Sequence, residues 1–73
     1  MKLDKNEDLE TRFTYHAPKE GQPETYEALR SKAKELAYDI LNMTPPSREQ
    51  SLAFTKLEEA VFWANAGIAR NGK

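Results

Sequence analysis

The sequence predicts an all-α fold: an antiparallel two-helix hairpin with a short N-terminal arm, assembling into a helical homo-oligomer. Three observations predict it. Two long stretches carry apolar residues at three- and four-residue spacing. The segment Thr44-Pro45-Pro46-Ser47 separates them and leaves only a few residues to turn the chain. The second stretch is uncharged from Ala60 to Ala69, nearly three helical turns, and so is apolar on sides that one partner helix cannot cover.

The elements follow in order. Met1 to about Glu10 is charged and poor in apolar residues, which reads as a tail or a short surface helix. Arg12-Phe13-Thr14-Tyr15-His16 is aromatic and β-prone, and Ala17 to Gln22 is a loop punctuated by Pro18 and Gly21. The chain divides into a flexible or weakly helical tail, 1–11, and a helical hairpin domain, 12–73. The first long helix starts near Pro23, since proline suits the first helical position, with Glu24 in a first turn that favours negative charge. Tyr26, Leu29, Ala33, Leu36, Ala37 and Ile40 form its apolar stripe. It runs to about Met43, where the residue before Pro45 leaves the α region. Ser47-Arg48-Glu49-Gln50 reads as a capping box opening the second helix. Ala53, Leu57, Ala60, Val61, Ala64 and Ile68 form the stripe there, and Asn71-Gly72 ends it. Each helix is roughly 20 residues, about 30 Å. Phe62 and Trp63 point away from the stripe, while Ala66, Gly67 and Ala69 allow another helix close approach.

Composition narrows the function. A 73-residue chain has room for one small domain, and such chains bury roughly 60% of their unfolded surface. Their usual supplements are disulfides, a metal or oligomerisation. Cys is absent and His16 is the single histidine, so thiolate–zinc and multi-histidine metal sites within one chain are excluded. Oligomerisation remains. A formal net charge of −1 argues against polymeric nucleic acid as a partner, which needs a basic face, but not against one small anion in a local basic pocket. No apolar run spans a bilayer and no basic-then-apolar leader follows Met1, so no membrane partner and a cytosolic location are expected. No Ser–His–carboxylate grouping is evident, and Glu58 and Glu59 face different directions on a helix, so an enzyme is not expected. No cofactor is implied.

Binding fits better. An antiparallel hairpin returns Arg70 to the start of the first helix, near Pro23 to Tyr26. That helix N-terminus suits an anion, Arg30 and Lys32 lie within two turns of it, and the Phe13–His16 strip can fold over it. Aromatic faces beside guanidinium groups are what a nucleobase joined to a phosphate requires. Each feature has a plainer reading. Phe13 and Tyr15 would also staple the arm to the bundle, Arg30 and Arg70 would also serve as surface charges, and Asn65 would also fix helix register in an oligomer.

Three segments carry a resemblance: Phe13-Thr14-Tyr15-His16-Ala17-Pro18; Leu29-Arg30-Ser31-Lys32-Ala33-Lys34-Glu35-Leu36-Ala37; and Leu57 through Arg70, LEEAVFWANAGIAR, which is the most specific. With Pro46-Ser47-Arg48-Glu49 between them, the chain resembles the phage-encoded anti-CBASS and Thoeris anti-defence hairpin proteins over about Arg12 to Asn71. The resemblance implies a sponge, a protein that sequesters cyclic nucleotide signals of bacterial immunity without cleaving them, acting in the cytoplasm of the infected host. It implies helical hairpins in a hexamer with pockets between protomers. The ligands it implies are cyclic dinucleotides, cyclic trinucleotides or cyclic ADP-ribose isomers. It further implies that Tyr15 stacks on a base and that Arg30 holds ligand phosphates, where a guanidinium offers a two-pronged donor. Lys32 and Arg70 fall near a separate trinucleotide site, and His16, Pro18 and Asn65 belong to the shared motif. The alternative function is an oligomeric hairpin adaptor that binds a host protein through its apolar face.

Overall fold

A computed structural model of the protein describes residues 5–72, which form three helices: α1 (Lys5–Phe13), α2 (Gln22–Met43) and α3 (Arg48–Asn71). No strand occurs among the described residues. The all-α expectation holds, with one element more than the hairpin requires. α1 takes up Arg12 and Phe13, which local β-propensity had placed in an extended strip. Glu7 and Asp8 sit in its first turn, and Arg12 in its last turn pairs with Asp8 at 3.0 Å. That pairing at i, i+4 outweighs the weak preference of one aromatic residue.

The ends of α2 and α3 lie where local chemistry puts them. Gly21 at φ 83° leads into α2, a backbone position that suits glycine, and Pro23 follows in the first turn. Thr44 stops α2 in an extended conformation before Pro45, its N–H and Oγ1 both donating to Ile40 O at 3.1 and 2.7 Å. Ser47 caps α3 by accepting from Gln50 N–H at 3.1 Å, and Gly72, at φ 69°, closes it by donating to Ile68 O at 2.9 Å. Half of the expected capping box forms. The Gln50 side chain does not return to Ser47. It crosses the turn and donates to Thr44 O at 3.2 Å and Thr44 Oγ1 at 3.1 Å, and more weakly to Leu41 O at 3.4 Å. The carbonyls among them have no intrahelical partner at the end of α2.

A second glutamine works at the opposite end. Gln22 at the start of α2 donates from Nε2 to Ile68 O near the end of α3. The two cross-links establish that α2 and α3 run antiparallel, and nearly all packing between elements is between these two helices. Gln22 (3% exposed) and Gln50 (9%) are the buried residues of the chain as described. No apolar side chain among the described residues is buried. The stripe residues Leu29, Ala33, Ala37, Ile40, Ala53, Leu57, Val61 and Ile68 are half-buried along a single seam. Gln50→Leu should cost about 1–3 kcal/mol, the penalty for stranding partly buried carbonyls, read as a lowered urea midpoint with the same slope. Ser47→Ala should cost less, about 1 kcal/mol.

Candidate functional site

A two-helix layer has two faces, and the chain makes them different. On one face, α2 contributes Arg30, Lys34 and Ala37 and α3 contributes Phe54, Phe62 and Asn65 to a groove of about 540 Å³. It continues toward the open end of the hairpin into a recess of about 390 Å³ that shares Arg30 and Asn65 and adds Tyr26, Ala66 and Ala69. Toward the turn it continues past Lys34 and Phe54 to Tyr38 and Leu41. The opposite face is a cleft of about 280 Å³ carrying Lys32 with Leu29, Leu36, Ala60 and Ala64. Arg30 and Lys32 therefore serve different faces, as a separation of two residues, about 200° of helical turn, requires.

The groove combines cation, ring and apolar wall. The ion pairs among the described residues, Asp8–Arg12 and Lys56–Glu59, engage none of Arg30, Lys32, Lys34 and Arg70. One carboxylate, Glu58, lines the groove against the two cations. The Asn65 Oδ1 is buried without a hydrogen-bond donor. Such an atom is destabilising by about 1–3 kcal/mol. No cluster of three His, Cys, Asp or Glu residues suited to a metal occurs among the described residues.

The arm is placed differently from the strip pictured in the sequence. Phe13 ends α1, and Tyr15 is 83% exposed, so neither ring lies over the start of α2 in the single chain. His16 is half-buried, its Nε2–H donating to Thr11 O at 2.8 Å, which folds the arm back against α1. Pro18 is exposed in the connecting loop. Arg70 is half-buried in the last turn of α3, where the helix dipole favours a cation. Of the residues singled out from the sequence, Arg30 and Asn65 share the groove; Tyr15, His16, Pro18, Lys32 and Arg70 lie outside it. Sequence reading missed Lys34, Tyr26, Phe54 and Phe62 as lining residues. Lys34 and Tyr26 had a signal, since each stands four residues from Arg30 on α2. On the outer side of α3, Trp63, 66% exposed, and Phe62 border a further recess with Glu59 and Ala66.

An Asn65→Leu variant removes the orphaned oxygen and raises helix propensity. The unliganded protein should then gain about 1 kcal/mol in thermal or urea unfolding. A loss of stability would mean that the amide already has a partner in the assembled protein.

A family model, described as the Acb2/Tad1 hairpin domain, matches residues 5–69. Comparisons with curated proteins and with solved structures return no match. The family match takes in α1, the arm, α2, all but the last two residues of α3, and every groove residue. It is a family known for anti-defence sequestration of cyclic nucleotides, a binding rather than a catalytic domain. With nearly the whole chain matched, the protein belongs to the Acb2/Tad1 hairpin-domain family, the anti-CBASS and anti-Thoeris sponges.

Proposed function

We propose that this protein is a phage immune-evasion sponge. It binds cyclic dinucleotides, with cyclic trinucleotides or cyclic ADP-ribose isomers as further members of the class, and it releases them intact. The observation that carries the reading is the groove in which Arg30 and Lys34, outside any ion pair among the described residues, stand beside Phe54, Phe62 and the orphaned Asn65 oxygen. A ligand with flat bases and a few phosphates meets each of these needs: rings stack, phosphates take charge-assisted hydrogen bonds, and base edges carry hydrogen-bond donors. Tyr15 stacks on a base, Arg30 holds phosphate, and His16, Pro18 and Asn65 shape the pocket. Lys32 and Arg70 serve a second site. A few cations per ligand suffice, so a net charge of −1 is no obstacle.

The working unit is a homo-oligomer, a hexamer by family resemblance, acting in the cytoplasm of the infected bacterium. The support is energetic. Phe62, Trp63, Leu36, Tyr38, Leu41 and Met43 are all exposed in the single chain, and burying each such side chain would contribute about 1.5–3 kcal/mol. Tyr15 is then free to complete a pocket on a neighbouring copy. The exposed Phe62–Trp63 pair also favours a second reading, an adaptor that docks on a host protein.

Native mass spectrometry with a panel of cyclic di- and trinucleotides and cyclic ADP-ribose isomers tests the proposal. The expected result is an oligomer carrying ligands that heat release returns intact. An oligomer that binds none of them would favour the adaptor, and altered ligand would mean an enzyme. Tyr15→Ala should weaken dinucleotide binding by about 1–3 kcal/mol, one lost stacking contact, with the oligomer kept. Trp63→Ala should instead give a smaller species by light scattering.

A further inference from the structure

We infer that Gln22 is a positioning residue for the ligand-binding arm, a role that rests on the sponge reading above. Gln22 is 3% exposed, the lowest value among the described residues. A primary amide both donates and accepts, and Gln22 uses both functions at the junction of arm and hairpin. Its Oε1 accepts from Lys19 N–H at 2.8 Å, and its own backbone N–H donates to Lys19 O at 3.0 Å, so the turn Lys19–Gln22 is closed twice. Its Nε2 donates to Ile68 O at 3.2 Å, a bond spanning 46 positions of sequence.

The acceptor's location gives that last bond its consequence. Ile68 O also accepts from Gly72 N–H, the bond that ends α3, and Ile68 stands two residues before Arg70. One carbonyl thus joins the arm to the turn that carries Arg70. Lys19 adds a second link: a Cβ on Gly72 would meet its Nζ at 2.8 Å, so the ammonium lies over the end of α3, where the dipole is negative. Between this clasp and the His16–Thr11 hydrogen bond only Ala17 and Pro18 intervene. Tyr15, His16 and Pro18 are therefore held at both ends, from α1 by His16 and from α3 through Gln22. Opening a helix would not by itself need this residue, because Gly21 already precedes the first turn and a short polar side chain would cap it. Crossing to the other helix requires the length and the two-sided chemistry of glutamine.

The test uses the full chain with Gln22→Met, which keeps the volume and loses the side-chain bonds to Lys19 N–H and Ile68 O, and Gln22→Glu, which keeps the acceptor for Lys19 N–H and loses the donor to Ile68 O. The readouts are oligomer mass, amide hydrogen exchange over residues 14–20, and affinity for the tightest-binding cyclic dinucleotide of the panel. Both variants should keep the native mass, exchange faster in the arm, and bind about tenfold more weakly, the effect of one lost hydrogen bond to a buried group. The glutamate should bind no better than the methionine, because the tether, not the turn, places the arm. Wild-type affinity in both variants would overturn the assignment while leaving the sponge intact. So would loss of the oligomer in both, which would make Gln22 a folding residue. A wild-type protein that binds no cyclic nucleotide would overturn the sponge reading itself, and this role with it.

Discussion

Two helices joined by a short turn can hide only one stripe on each from water. Everything else about this chain follows from that constraint. The stripes meet along one seam and stay half-buried, and no apolar side chain among the described residues is removed from solvent. Yet α3 carries rings on two further sides, at Phe62 and Trp63, and α2 exposes Leu36, Tyr38 and Leu41. A chain of 73 residues without cysteine has no covalent way to offset this deficit. The surface left over is both what an assembly would bury and what shapes the groove.

With so little core, geometry falls to a few hydrogen bonds. The two buried side chains described are both amides, and each spans the hairpin from the start of one helix to the end of the other. Hydrophobic contact along a seam is non-directional and would tolerate sliding of one helix on the other. A directional bond at each end does not. Gln50 sets the turn and Gln22 the open end.

The sequence made the local features legible. Helix boundaries at Met43, Ser47 and Gly72 rest on proline, a serine cap and glycine, whose effects act within a few residues. What depended on distant partners could not be read there. Gln50 looked like the second half of a capping box because its real acceptors lie across the turn. Gln22 looked like loop because its acceptor is 46 positions away. Arg12 and Phe13 looked extended because the charge pairing that favours α1 outweighs their own preference. At the groove, Arg30 and Asn65 are residues the sequence singles out, whereas Tyr26 reads there as part of the apolar stripe and Lys34 carries no signal beyond its spacing from Arg30. Tyr15 stands out in the sequence as an aromatic ring beside a helix start, and His16 and Pro18 through resemblance; their placement on an arm hydrogen-bonded at Thr11 and at Gln22 needed coordinates.

A hairpin with no buried apolar side chain among its described residues is incomplete as a single chain. A direct test is the thermal midpoint followed by circular dichroism across a wide dilution series, with mass measured at each concentration. If folding and assembly are linked, the midpoint rises steadily with protein concentration and the folded species has a multiple of the chain mass. A midpoint independent of concentration, with a folded monomer throughout, would contradict the claim.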